Sequence, residues 1–395
     1  MNTSKKQSMS IDDILFHLGE SHEEWYGSIS PPIYQTSNFK LQSTADFKMK
    51  IQDDFNHHMY TRGNNPTVKI LREKLAALEG TEEALVVGSG AAAMSMALLS
   101  QLRSGDHLVC VQNPYIWTKK TINVLLGRYG ITCTYVSSTD TEAIKAACTP
   151  ETKVIFLESP NSLTFELQDL NAIATFARAR GIVTMIDNSY ATPIFQRPAE
   201  HGIDLILHSA TKYLNGHGDV MAGVICGSYE KIRKIYDEDY MILGALISPY
   251  EAALILRGLR TLPLRMQRSH ESAMYITDKL TDHPRIDSIM YPFHPSHAQL
   301  DLARRQMTGC GGLFSIALKA DTPEQCERFA DALKHFHMAA SWGGYESLQL
   351  PMCVFNDYLG GPANGAPPFQ IVRLYIGLED PDYLLQDILQ ALEKI

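Results

Sequence analysis

The apolar positions of the chain fall into short blocks separated by helical patterns. In VKILREKLAALEG the residues Val68, Leu71, Leu75 and Leu78 share one helical face, and Gly80 stops the helix. Beyond it the texture alternates. ALVVG (84–88) predicts a buried strand and AAAMSMALLSQL a helix. HLVCV (107–111) predicts a strand, followed by a helix over about 116–127. ITCTYV (131–136) and KVIFLE (153–158) predict strands, with the short helix TEAIKAAC between them. LNAIATFARAR predicts a helix ended by Gly181, and IVTMID (182–187) and DLILHS (204–209) predict two more strands. Short apolar runs alternating with helices mean βα units around a mostly parallel sheet.

From about residue 250 the pattern changes. Helices dominate between about 248 and 283. GLFSIAL (312–318), a helix near 323–335, VRLYIGL (372–378) and a last amphipathic helix through Leu384, Leu385, Ile388, Leu389 and Leu392 predict a smaller α+β domain. Residues 1–60 are irregular, with one short helical stretch and Pro31-Pro32, and read as an arm. The expected division is an arm over 1–60, an α/β domain over 61–252 and an α+β domain over 253–395. GGPANGAPP (360–368) is expected to be a mobile or lid-like loop.

Composition narrows the classes. The chain has 395 residues with 45% hydrophobic and 20% charged positions, enough apolar material for a large core. Its net charge of −9 argues against nucleic acid or an anionic membrane as the main partner. No apolar run approaches the roughly 20 residues that span a bilayer. The N-terminus has no apolar signal region. Seven cysteines (Cys110, Cys133, Cys148, Cys226, Cys310, Cys326 and Cys353) are scattered without a CxxC, as expected of reduced thiols in a cytoplasmic protein. This spacing supports no metal site.

Three stretches carry candidate chemistry. In DLILHSATKYLNGHGDVMAGV (204–224) a strand runs into Ser209, Thr211 and Lys212. Hydroxyls at that spacing suit a phosphate, and the amine suits a Schiff base. A snorkelling lysine at a strand end is the plainer alternative. Asp187 ends the strand IVTMID, where a carboxylate caps a helix, ligates a metal or pairs with a heterocyclic nitrogen. VVGSGAAAM (86–94) is a strand, a Gly-containing turn and a small-residue helix start, which binds phosphate through its N–H groups. It also matches GxGxxA across Gly88, Gly90 and Ala93, so a nicotinamide-dependent dinucleotide fold is a rival. No acidic residue ends the next strand to serve as its ribose partner. His217 and Asp219 suggest a metal pair, against which stands an ordinary polar loop.

Taken together, the lysine after SAT, the aspartate 25 residues before it and the Gly turn before an Ala-rich helix resemble the cystathionine lyase/synthase family of pyridoxal-phosphate enzymes. MYTRGNNPT (59–67), NPYIWT (113–118), ESPNSLTFEL (158–167), RGLRTLPLRM (257–266), SWGGYESL (341–348) and VRLYIGLED (372–380) agree in family order. The resemblance runs from about residue 25 to the C-terminus.

The resemblance implies an aspartate-aminotransferase-like (fold type I) α/β enzyme holding pyridoxal 5'-phosphate. It implies Lys212 as Schiff-base lysine and proton carrier, and Asp187 as partner of the pyridine nitrogen. The phosphate would be held by the backbone of Gly90 and Ala91 and the hydroxyls of Ser209 and Thr211. Many relatives have Met at Ala91, a change that a backbone contact tolerates. Tyr115 would stack on the cofactor ring with its hydroxyl near the reacting atoms. Arg373, in an otherwise apolar strand, would clamp the substrate α-carboxylate beside Ser341. Tyr60 and Arg62 match residues reaching the phosphate of a neighbouring subunit, which implies a homodimer, in this family usually a tetramer of two dimers. A non-catalytic relative would have no need of Lys212, Asp187 and Arg373 together.

The family acts on small sulfur amino acids by β-elimination, γ-elimination or γ-replacement. Trp342 in SWGGYES, Ser162 in ESPNS and GAAA (90–93) resemble the bacterial cystathionine β-lyases of trans-sulfuration and methionine biosynthesis. Ala340 points the other way, because β-lyases often carry Tyr there and γ-enzymes Glu. NPYIWT departs from the common YGGT and places Trp117 near the mouth. The expectation is a β-lyase cleaving L-cystathionine, with cystathionine γ-synthase, γ-lyase or O-acyl-homoserine sulfhydrylase as the alternative.

Overall fold

A computed structural model describes residues 9–355 and 366–395. Its first sheet has seven strands: β1 (Glu83–Val87), β2 (His107–Val111), β3 (Thr132–Val136), β4 (Thr152–Glu158), β5 (Val183–Asp187), β6 (Leu205–Ser209) and β7 (Gly223–Gly227). Their order is β1-β7-β6-β5-β4-β2-β3. The five strands from β6 to β3 are parallel, and β7 runs antiparallel to both β6 and β1. The run from Val154 to Leu157 in β4 is fully buried, as are Met185 and Ile186 in β5 and Leu205 to Leu207 in β6. This is the two-faced burial that unbroken apolar strands demand.

A second sheet contains β8 (Ile286–Met290), β9 (Leu313–Leu318), β10 (His337–Met338), β11 (Leu348–Pro351) and β12 (Ile371–Tyr375). Its order is β10-β11-β12-β9-β8, antiparallel except for β10 with β11. The helices Pro249–Leu259 and Leu262–Leu280 lead into this part of the chain, and the helix Pro381–Leu392 packs on Leu262–Leu280.

Local signals explain where elements start and stop. Asn65 caps the helix Pro66–Glu79 by accepting from the Thr67 N–H at 3.0 Å, Pro66 fills its first position, and Gly80 (φ 72°) ends it. The predicted helix over 116–127 is real but changes pitch. An α segment (Ile116–Lys120) passes into a π turn (Thr121–Leu125) and then a 3-10 turn (Leu126–Tyr129). Among the described residues of the expected arm there are two short α-helices instead of one helical stretch, Ile11–Phe16 and Thr44–Lys50. Of the expected loop 360–368, residues 360–365 lie outside the described residues.

The segment through Glu20 is fastened to the helix Pro66–Glu79 by a buried ion pair. Lys74 is 1% exposed; its Nζ lies 3.1 Å from Glu20 and donates to the carbonyls of Ile14 (2.9 Å) and Leu15 (3.0 Å). Burial holds the Lys74 amine below its ordinary value against the pull of Glu20. Lys74→Ala would leave the Glu20 carboxylate with Arg260, 3.4 Å away, as its remaining cation. Breaking a buried pair from one side costs about 3–5 kcal/mol. Urea denaturation of the variant is expected near the lower end of that range, with Lys74→Met combined with Glu20→Gln recovering part of the loss. A change below about 0.5 kcal/mol, the size of an ordinary surface substitution, would show that the pair does not hold the segment.

Candidate active site

The carboxyl ends of β4, β5 and β6 open into a crevice, the usual place for a ligand in such sheets. Glu158 ends β4 and lies in register with Asp187, which ends β5. Ser209 ends β6, and Lys212 follows one turn later. Tyr115, Trp342 and Arg373 close the crevice from the β2 loop and the second sheet.

Asp187 is buried. Its Oδ1 accepts from the Ser189 N–H (2.9 Å) and Oγ (2.6 Å). Burial raises its pKa, and the Ser189 contacts, His208 and Lys212 pull it down. Among the described residues no ion pair is made by Asp187. Lys212 Nζ donates to Ser341 Oγ at 2.6 Å and sits 5.5 Å from the Trp342 ring centroid. Burial, then the nearby Arg373 charge, lowers the amine to about 8, while Asp187 opposes the shift.

Arg373 sits on β12, between Ser315 of β9 and Leu350 of β11. One Nη donates to the Ser162 carbonyl at 3.0 Å, and no carboxylate among the described residues forms an ion pair with it. Burial lowers its pKa to about 10, so the guanidinium stays charged at neutral pH. A desolvated cation with open donors is a binding site for a planar anion.

Gly90 opens the helix Gly90–Gln101 directly against β6. A Cβ there would stand 2.7 Å from the Ser209 Cβ, so only glycine allows this approach. Ser89 caps the helix by accepting from the Ala92 N–H at 3.1 Å, which leaves the Gly90 and Ala91 N–H groups without intrahelical partners.

The structure thus brings Tyr115, Asp187, Ser209, Lys212 and Arg373 to one crevice, with Ser341 bonded to the lysine and Gly90 packed on Ser209. Thr211 is placed differently. Its hydroxyl accepts from the Ala222 N–H (3.0 Å) and donates to the Ala222 carbonyl (3.3 Å), tying the lysine turn to the segment entering β7. Tyr60 and Arg62 do not line this crevice; Tyr60 is exposed, with the Arg62 guanidinium 5.6 Å from its ring centroid. His217 and Asp219 both bond to Asn215, by its carbonyl (2.8 Å) and its side-chain amide (2.9 Å), and form a loop rather than a ligand pair.

Sequence reasoning missed Glu158 as a site residue. Its carboxylate accepts from the backbone N–H groups of Tyr115 (2.6 Å) and Ser162 (3.1 Å), so it anchors two loops at the crevice. Burial and the neighbouring Asp187 raise its pKa. The signal was present, because KVIFLE ends in an acid as IVTMID does.

These features suit one group. The buried Asp187 carboxylate makes no ion pair among the described residues and fits a protonated ring nitrogen. The close Gly90–Ser209 approach, with free N–H groups beside it, fits a phosphate. The lysine of lowered pKa between them fits an aldehyde. Fold and crevice together are those of a fold type I pyridoxal-phosphate enzyme.

The comparisons with known proteins agree. Residues 12–393 match the family described as Cys/Met metabolism PLP-dependent enzyme, and the chain belongs to that family. It is 36% identical over 381 residues to L-methionine gamma-lyase of Pseudomonas putida, covering 95% of this chain and 96% of that one. It is 36% identical over 406 residues to the chloroplastic cystathionine gamma-synthase 1 of Arabidopsis thaliana, covering 100% of this chain and 71% of that one. The solved structure of metB from Corynebacterium glutamicum superposes with a TM-score of 0.92 at 30% identity, covering 100% and 99% of the two chains. The chain is therefore a pyridoxal-phosphate-dependent enzyme of cysteine and methionine metabolism. No helix among the described residues is long and apolar enough to cross a membrane.

Proposed function

We propose that the protein is a C–S β-lyase that cleaves L-cystathionine and water to homocysteine, pyruvate and ammonia. The observation that carries this reading is the setting of Lys212. Its amine is bonded to Ser341 and lies over Trp342, whose buried ring packs against Tyr190 and Tyr213. β-Elimination asks a base to act at one carbon, Cα, while the thiolate leaves Cβ. γ-Chemistry asks it also to serve Cβ and Cγ, for which a penned amine is poorly placed.

Pyridoxal phosphate supplies the electron sink that makes the Cα proton removable. The chain does the rest. Asp187 holds the ring nitrogen protonated. The N–H groups of Gly90 and Ala91 and the hydroxyl of Ser209 hold the phosphate, while Thr211 fixes the lysine turn through the Ala222 backbone. Arg373 grips the substrate α-carboxylate with Ser341 beside it. Lys212 takes the Cα proton. Tyr115 covers the ring, and its phenol, raised by burial and by the Asp187 and Glu158 charges, keeps a proton to give to the departing sulfur. Tyr60 and Arg62 of one copy reach the phosphate in the neighbouring copy of a dimer, and two dimers form the working tetramer in the cytoplasm.

A γ-acting enzyme is the second reading, favoured by relatives named gamma-lyase and gamma-synthase. Incubating the purified protein with L-cystathionine and identifying the keto acid decides between them. Pyruvate with homocysteine is expected. 2-Oxobutyrate with cysteine would overturn the β-lyase reading and leave the cofactor assignment intact.

A further inference from the structure

Beneath the crevice floor lies a buried pair of ionisable groups that the chemistry above does not use. Glu79 and His208 are each 1% exposed, with His208 Nε2 2.5 Å from Glu79 Oε1. Glu79 is the last residue of the helix Pro66–Glu79, where the helix dipole disfavours a negative charge. Burying a carboxylate there is costly, and packing alone would favour an apolar residue. Among the described residues Glu79 Oε2 and His208 Nδ1 have no hydrogen-bond partner, so the pair is not a fully satisfied core network.

The pair belongs to a closed ring of contacts around Asp187. Glu79 Oε1 also accepts from Asn188 Nδ2 at 2.9 Å, and Asn188 follows Asp187 in the chain. The Asn188 N–H donates to the Leu207 carbonyl at 2.9 Å. On the other side His208 precedes Ser209, whose N–H donates to Ser189 Oγ at 2.6 Å. That Ser189 hydroxyl in turn donates to Asp187 Oδ1. Asp187 is therefore held through both residues that follow it, and each path returns to Glu79 and His208.

We propose that Glu79 and His208 are a positioning pair that sets the orientation and charge of Asp187, and through it the grip on the cofactor ring. The inference rests on the assignment of Asp187 to the ring nitrogen. Electrostatics point the same way: burial raises the Asp187 pKa most, and His208 is among the groups that lower it.

The test uses the full-length enzyme and measures the dissociation constant of pyridoxal phosphate by titrating the apoprotein, together with the absorption spectrum of the loaded protein. His208→Gln removes the imidazole but keeps a side-chain amide, and Glu79→Gln is isosteric, so both are suited to fold. His208→Leu removes everything polar, and Asp187→Asn is the reference for the ring contact. Expected are a large loss of affinity in Asp187→Asn and a weakening of about tenfold in His208→Gln and Glu79→Gln, the size seen for outer-shell partners elsewhere. The spectrum of the bound cofactor should shift in the direction that Asp187→Asn shifts it. Weakened binding in Asp187→Asn with wild-type affinity and spectrum in His208→Gln and Glu79→Gln would overturn the pair. Lowered thermal stability with an unchanged spectrum would also overturn it, by reducing the pair to a structural element. Unchanged binding in Asp187→Asn would remove the Asp187 assignment and this inference with it.

Discussion

Lys212→Ala is expected to reduce turnover by at least about 10³-fold, within the range that a positioned acid–base group contributes. Two losses coincide in this variant. On the proposed roles of Lys212, the amine that takes the Cα proton is gone, and so is the covalent anchor for the cofactor aldehyde. An amine at the ordinary value would be neutral in only about 0.3% of molecules at pH 8. Burial and Arg373 hold Lys212 near 8, so about half of these amines are neutral there. Borohydride reduction followed by peptide mass analysis should place the cofactor on the Lys212 peptide in the wild type and nowhere in the variant. More than about a tenth of wild-type keto-acid release from the variant would assign the proton transfer to another group.

Much of this site was legible in the chain before folding. Asp187 and Lys212 each follow an unbroken apolar run, and parallel strands end where ligands bind. An arginine inside VRLYIGL is costly unless an anion awaits it, and Arg373 does lack an ion-pair partner among the described residues. Gly90 was legible as a helix start, whereas the reason for glycine was not. That reason is the approach of Ser209, which only the folded sheet creates.

Strands that were missed share a physical feature. β7 has three apolar residues between two glycines, GVICG, which reads as a turn until β1 and β6 pair on either side. β8 is interrupted by Asp287 and Ser288, where the register with β9 shifts. β11 ends in Pro351. In each case neighbouring strands override weak local propensity. The Glu79–His208 pair escaped for a related reason. Its two members lie 129 residues apart, and no pattern of spacing announces such a contact.

Arg373→Ala is expected to lower kcat/KM by about 10²–10³-fold, most of it through KM. On the proposed role the guanidinium meets the substrate α-carboxylate, which is bonded to Cα but takes up none of the charge that moves as the C–H and C–S bonds break. Its grip is therefore similar in the bound substrate and in the transition state, and its loss falls on binding. Leaving a charge without its partner in a desolvated site costs about 3–4 kcal/mol, which is the stated factor. Arg373→Lys should recover little of it, because an ammonium lacks the planar fork that matches a carboxylate. A second effect has a definite sign. Arg373 is one of the two causes that lower the Lys212 pKa. Removing its positive charge favours the protonated amine, so the Lys212 pKa rises and the acid limb of the kcat profile moves to higher pH. A variant that had merely lost packing would not move that limb. The two readouts also separate the two roles: an unchanged KM would take the carboxylate from Arg373, and an unmoved limb would uncouple it from Lys212.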